Sequence, residues 1–159
     1  MFRRLLRQLF LWRLNQERPT VIRLGLETMV MDNDEALVRE GCQPTYKKVK
    51  GVQPLQLTWG PFIVDALFRG GKKHGSAGDE AAWIVRDTLT FVRRRYRADV
   101  PIVVAMDIGF FDQKLFRAFE ELGIDYVCTG KLYDDLTQRA RGMDPSLWST
   151  YDNGRQLWE

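Results

Sequence analysis

Pro101-Ile-Val-Val-Ala-Met-Asp107-Ile-Gly-Phe-Phe-Asp112 carries an apolar run straight into a carboxylate, with a glycine and two aromatics close behind. Apolar runs of this length, bounded by turn residues, read as buried strands. Asp107 then stands at the strand's C-terminal end, where open α/β sheets keep their chemistry. Asp112 is placed to cap the helix that follows. Asp107 is therefore the first candidate site residue, with a helix-leading turn residue as the plain alternative.

Upstream, Asp79 to Arg97 reads as the strongest helix: an acidic start, an apolar stripe through Ala82, Trp83, Val85, Leu89 and Val92, and arginines at the end. The cluster Arg93, Arg94, Arg95 and Arg97 suits the helix dipole, or contact with nucleic acid. Downstream, Asp112 to Leu122 reads as a second helix with Gly123 at its C-cap position. Ile124 to Cys128 reads as a further strand. Two strands are expected at Pro54 to Trp59 and Phe62 to Phe68, joined by a Gly60-Pro61 turn. Thr20 to Val30 reads as a largely buried first strand carrying Val21, Leu24, Leu26 and Val30. Glu27 is the acid inside it, so it faces either solvent or a cation.

The order is three strands joined by short turns, then helix, strand, helix, strand. That pattern predicts an α/β domain with a mixed sheet and helices packed on it. Asp34 to Gln53 reads as irregular, and Tyr151 to Glu159 shows no completed element. Met1 to Arg13 reads as an amphipathic helix with Leu5, Leu6, Phe10 and Leu14 on one side and Arg3, Arg7 and Gln8 off it. It is too charged to span a membrane and lacks the serines of a transit peptide.

With 159 residues, 45% hydrophobic and 28% charged, the chain suits one globular domain. The net charge of +3 is modest, but the cations cluster. Lys47, Lys48 and Lys50 share one loop and Arg69, Lys72 and Lys73 another, each either solvated or placed for phosphates. Cys42 and Cys128 lack metal-ligand spacing and read as reduced thiols of a cytosolic protein. His74 lies in a glycine-rich loop without P-loop spacing and reads as a solvated residue. One histidine supports neither a zinc site nor a Ser-His triad.

Tyr46-Lys-Lys-Val-Lys-Gly-Val-Gln-Pro-Leu55 resembles the Lys-Gly-x-x-Pro-Leu segment of DDE-type insertion-sequence transposases. Asp107-Ile-Gly-Phe-Phe-Asp-Gln-Lys-Leu-Phe116, with Glu120-Glu-Leu-Gly-Ile-Asp-Tyr-Val127, resembles their Asp-Ser-Gly-Phe block. The likeness covers Val21 to Leu136. It implies a ribonuclease H-like mixed sheet, incomplete at the C-terminus, and metal-dependent cleavage and strand transfer of DNA. It implies Mg²⁺ or Mn²⁺ held by Glu27 and Asp107 as catalytic carboxylates, hard oxygen ligands of the kind Mg²⁺ requires. Lys47, Lys48, Lys50, Arg69, Lys72 and Lys73 would contact DNA. The partner implied is transposon-end DNA, with a homo-oligomer for the full-length parent, no membrane, and a prokaryotic cytoplasm.

The sequence also departs from the pattern. Glu27 stands where the family has its first Asp, Ile108 stands where it has Ser, and no third acid is identifiable. The expected division is a basic helix over 1–19, a partial ribonuclease H-like domain over 20–136 and a tail over 137–159 that begins a truncated insertion. The chain is expected to be inactive alone. The rival readings are a non-catalytic DNA-binding or partner-interacting remnant, and a structure-specific nuclease completed by Asp65 or Asp125.

Overall fold

A computed structural model describes residues 2–35, 39–73, 79–130, 133–150 and 156–157. His74 and its loop lie outside the described residues. Two compact units are formed, Met1–Thr129 and Gly130–Glu159.

The first unit opens with helix α1 (Phe2–Glu17), followed by β1 (Ile22–Thr28), β2 (Met31–Asp32), β3 (Gln43–Pro44), β4 (Lys50–Val52), β5 (Leu55–Trp59) and β6 (Phe62–Leu67). Helix α2 (Glu80–Arg95), β7 (Ile102–Met106), a 3-10 turn (Ile108–Phe110), α3 (Gln113–Glu121) and β8 (Asp125–Cys128) complete it. The main sheet runs β6-β5-β1-β7-β8. β6, β5 and β1 are mutually antiparallel, whereas β1, β7 and β8 are parallel. Three antiparallel strands followed by two helix-linked parallel ones are the ribonuclease H-like mixed sheet expected from the sequence.

Period-2 alternation decides what that sheet buries. In β1, Ile22, Leu24 and Leu26 are buried while Arg23 and Glu27 are exposed, and in β7 Ile102, Val104 and Met106 are buried while Ala105 is exposed. These strands are thus covered on one face rather than two. The buried face packs Leu24, Leu26, Leu57, Val104 and Met106 with Ile84, Val85, Leu89 and Val92 of α2 and Leu115 and Phe119 of α3. Asp112 caps α3 by accepting from the Lys114 and Leu115 amides, and Gly123 closes it at φ +61°, the left-handed region glycine enters freely.

α1 packs beside β6 and α2, but by a different side than its sequence suggests. Phe10 and Leu14 are buried, and Arg3 and Arg7 point inward with them. Both guanidiniums bind the fully buried Asp65 of β6, through contacts of 2.6 Å, and also reach Asp87 of α2. Burial raises the Asp87 carboxyl, but hydrogen bonds from Arg7 and Arg3 win and hold it below the usual carboxylate range. Leu5 lies on the outside.

The stretch expected to be irregular instead holds a small three-stranded sheet, β2-β4-β3. It grows from the C-terminal end of β1, and the segment after β6 packs against it. A Cβ on Gly71 would come within 2.4 Å of the Gln43 carbonyl and 2.5 Å of the Gly51 carbonyl. Backbone cannot yield as a side-chain tip does, so Gly71→Ala is expected to cost about 2 kcal/mol. A thermal melt should fall by about 4–8 °C, and an unchanged melting temperature would show that the packing is looser than described.

The second unit contains α4 (Asp134–Gly142), acidic in its first turn and basic in its last, as the helix dipole favours. A 3-10 turn (Pro145–Leu147) follows, then β9 (Ser149–Thr150) paired antiparallel with β10 (Gln156–Leu157). Among the described residues, no helix is long and apolar enough to cross a membrane.

Candidate metal centre and basic surface

The register of β1 on β7 pairs Ile22 with Ile102 and continues to Leu26 with Met106. Glu27 and Asp107 are the next residues on each strand, so they lie side by side at the C-terminal edge of the sheet. Neighbouring strands are about 4.8 Å apart. Both residues are exposed, and each follows a buried residue, which turns the pair to the face opposite the core.

Local structure fixes the Asp107 side chain and makes room for that of Glu27. Asp107 Oδ1 accepts from the Gly109 amide at 2.9 Å, capping the 3-10 turn whose last residue, Phe110, is fully buried. One carboxylate oxygen is thus anchored to a turn that is itself pinned in the core. A Cβ on Gly109 would lie 3.0 Å from that oxygen, close enough to push it by a few tenths of an ångström. Beside Glu27, a Cβ on Gly25 would meet the Thr58 hydroxyl at 2.6 Å and Glu27 Oε1 at 3.3 Å. Gly25 therefore leaves the space over which the Glu27 side chain leans.

Cys128 ends β8 opposite Met106, and its thiol donates to the Asp107 carbonyl at 3.4 Å. Burial first, and the Asp107 charge second, push the thiol pKa up. Sequence reading missed Gly25, Thr58 and Cys128 as neighbours of the site. The strand register supplies the signal for all three, and it becomes legible once the strands are paired.

Neither proposed extra acid joins the pair. Asp65 is enclosed by Arg3 and Arg7, with the Thr88 hydroxyl at 3.4 Å. Asp125 pairs with Val103, four residues before Asp107, which sets it roughly 13 Å down the sheet from Asp107. Among the described residues, no group of three or more His, Cys, Asp or Glu side chains is placed to hold a metal.

The basic residues divide. Lys47, Lys48 and Lys50 are exposed on the β3–β4 hairpin, whose tip is closed by Thr45 and Val49 and by Lys48 at φ +62°. Lys72 is exposed, and Lys73 is exposed and paired with Glu80. Arg69 departs from the sequence expectation. It is 5% exposed, donates to the Gln53 carbonyl at 3.2 Å and lies 3.6 Å from Glu80, so it holds the loop instead of facing phosphates. Burial lowers its pKa against the opposing pull of Glu80. In the arginine cluster, Arg93 donates to the carbonyl of Leu122, the residue that caps the C-terminus of α3, and Arg97 pairs with Asp99. That cluster closes helix ends at the edge of the sheet opposite Asp107.

No protein-family model matches this chain, and no curated protein matches it. Among solved structures it is similar to the catalytic domain of Mos1 mariner transposase, with 8% identity, a TM-score of 0.49, and 84% of this chain and 62% of that chain covered. It is also similar to the Mos1 mariner paired-end complex with Mn, at 9% identity and a TM-score of 0.47, over 87% of this chain and 52% of that one. A piggyBac transposase synaptic complex with hairpin DNA follows at 10% identity and 0.46, over 78% of this chain and 26% of that one. The chain thus spans less than two thirds of each of these structures. Identities this low speak to fold alone, and the fold here is read from strand order and register.

Proposed function

We propose that this chain is part of the ribonuclease H-like catalytic core of a DDE-type insertion-sequence transposase. The observation that carries the reading is the register that sets Glu27 beside Asp107 at the strand ends. Two exposed carboxylates side by side repel each other, and a hard divalent cation removes that cost. The donor set fits Mg²⁺ or Mn²⁺, with Glu27 and Asp107 as ligands. Such ions, when bound, activate an attacking oxygen and stabilise a leaving one at a phosphodiester.

The chain's own residues would prepare that site. Gly109 fixes the Asp107 carboxylate, and Gly25 gives Glu27 its room. Lys47, Lys48, Lys50, Lys72 and Lys73 would hold DNA phosphates next to the carboxylates, because the small sheet rises from the same end of β1. No third carboxylate stands with the pair among the described residues, and this chain alone is proposed to be inactive. A second reading, a non-catalytic DNA-binding remnant, is favoured by one observation: Glu27 stands where the family has Asp, and the longer arm disturbs the octahedral geometry Mg²⁺ demands.

DNA binding tests what the two readings share. The chain should bind duplex DNA with an affinity that falls steeply with salt. Replacing Lys47, Lys48 and Lys50 together with alanine should reduce the slope of log K against log salt by about 2–3. No affinity at low salt, or a slope unchanged in the triple variant, would exclude this basic surface. Mn²⁺-dependent nicking of supercoiled DNA separates the readings, since a remnant gives none even when the missing carboxylate is supplied on a longer chain.

A further inference from the structure

We propose that the outer face of α1 is a self-association surface, which pairs antiparallel with α1 of a second copy of this chain. Phe2, Leu5, Leu9 and Trp12 are 58%, 56%, 53% and 60% exposed. They are separated by three, four and three residues, the spacing of a two-helix seam. On a helix of 3.6 residues per turn this stripe lies on the side away from Phe10 and Leu14, which pack on the domain. α1 is therefore apolar on two sides, and its own unit covers only one of them.

Three features favour a second copy as the occupant. The first is self-complementarity. The stripe reads aromatic, leucine, leucine, aromatic from either end. A two-fold axis through its midpoint sets Phe2 against Trp12 of the partner subunit and Leu5 against Leu9 of the partner subunit, an isologous contact. The second is charge. Of the four arginines in α1, Arg3 and Arg7 are turned inward onto Asp65 and Asp87, Arg13 is paired with Glu17, and Arg4 is exposed. The helix therefore does not present the basic polar face with which an interfacial helix holds an anionic surface. On the seam's outer flank stand Arg4, Gln8 and Asn15, and antiparallel pairing about position 7 sets the two Arg4 side chains roughly 9 Å apart along the axis, so they are not directly opposed.

The third feature is area. Four large side chains at these exposures amount to roughly 450–500 Å² of apolar surface, near the largest patch a monomer ordinarily leaves open. The sum stays short of the roughly 800 Å² per partner of a standard interface, which makes the pair reversible, with a dissociation constant on the order of tens of micromolar.

Sedimentation velocity of the 159-residue chain, from about one to a few hundred micromolar, reads this directly. The wild type should pass from monomer to dimer. Leu5→Glu and Leu9→Lys should each weaken the dimer by at least about thirtyfold, the loss expected on disrupting a central anchor. The double variant should recover it, because antiparallel pairing sets the new acid against the new base. Parallel pairing would oppose like charges and leave the double variant monomeric. Both positions are exposed, so far-ultraviolet circular dichroism should be unchanged. Phe2→Ser and Trp12→Ser weaken the same contact without adding charge, should a charged variant disturb the helix. A wild type that stays monomeric throughout overturns the proposal, as do a dimer indifferent to all four single variants and a double variant that is not rescued. So does co-sedimentation with vesicles of equimolar phosphatidylcholine and phosphatidylglycerol that is lost in Leu5→Glu.

Discussion

Asp65→Ala is expected to destabilise the chain by about 3 kcal/mol, a large share of the 5–15 kcal/mol typical of a folded domain. Asp65 is fully buried and accepts from Arg3 Nε and Nη2, from Arg7 Nη2 and from its neighbour's amide, Ala66 N, at 2.9 Å. Its removal leaves two guanidiniums facing each other, with the half-exposed Asp87 as the remaining anion of the cluster. Breaking a buried pair costs about 3–5 kcal/mol when the orphaned charge stays buried. Here Arg3 keeps 32% of its side chain in water and Arg7 17%, so both can turn outward, which argues for the lower end. A urea midpoint lower by about 1–2 M is the readout. Because Arg3 and Arg7 are what bind α1 to β6 and α2, the loss should appear first as fraying of α1 in hydrogen exchange. Replacing the three together, Arg3→Met, Arg7→Met and Asp65→Leu, should recover most of the stability, since well-packed apolar groups replace buried ion clusters at little cost. An Asp65→Ala variant as stable as wild type would show that the apolar contacts of Phe10 and Leu14 dock α1 unaided.

That cluster also shows where sequence reading stopped. The main sheet was legible because its signals are local: apolar runs of strand length, a glycine or proline at each turn, an acid at one helix start and a glycine at the other end. The pairing of Glu27 with Asp107 followed from strand order and from the resemblance. Asp65 did not follow, since its partners stand 58 and 62 residues earlier in the chain. Nothing in Phe62-Ile-Val-Asp-Ala-Leu67 announces a buried charge. The orientation of α1 was read wrongly for a related reason. Helical period gives the angle between side chains, but α1 is apolar on two sides, and the choice between them was made by Asp65 and Asp87 on other elements. The small sheet escaped notice because strands of two or three residues are too short to show a period. The one-sided burial of β7 escaped notice because an apolar run looks the same whether one of its faces is covered or both.

The second large effect concerns the carboxylate pair. Asp107→Asn and Glu27→Gln each remove a charge and a hard ligand oxygen without changing side-chain size. If the two acids hold a divalent cation jointly, either change should weaken binding by more than about tenfold, at least what is lost when a supporting partner of a ligand is removed. Glu27→Asp keeps the carboxylate and should retain binding, shifted only by the shorter reach. Asp125→Asn, four residues down the sheet, should leave binding untouched. Gly109→Ala brings a Cβ to 3.0 Å from the anchored Asp107 oxygen and should weaken binding without changing the charge.

Titration of the chain with Mn²⁺, followed by water-proton relaxation and competed with Mg²⁺, is the most direct measurement. Saturable binding is expected with a dissociation constant on the order of a millimolar, the weak range of oxygen-ligand sites. It should be lost in Asp107→Asn and Glu27→Gln and kept in Asp125→Asn. Binding of equal strength in all of these proteins, or none in the wild type, would contradict the assignment of Glu27 and Asp107 as a shared metal site.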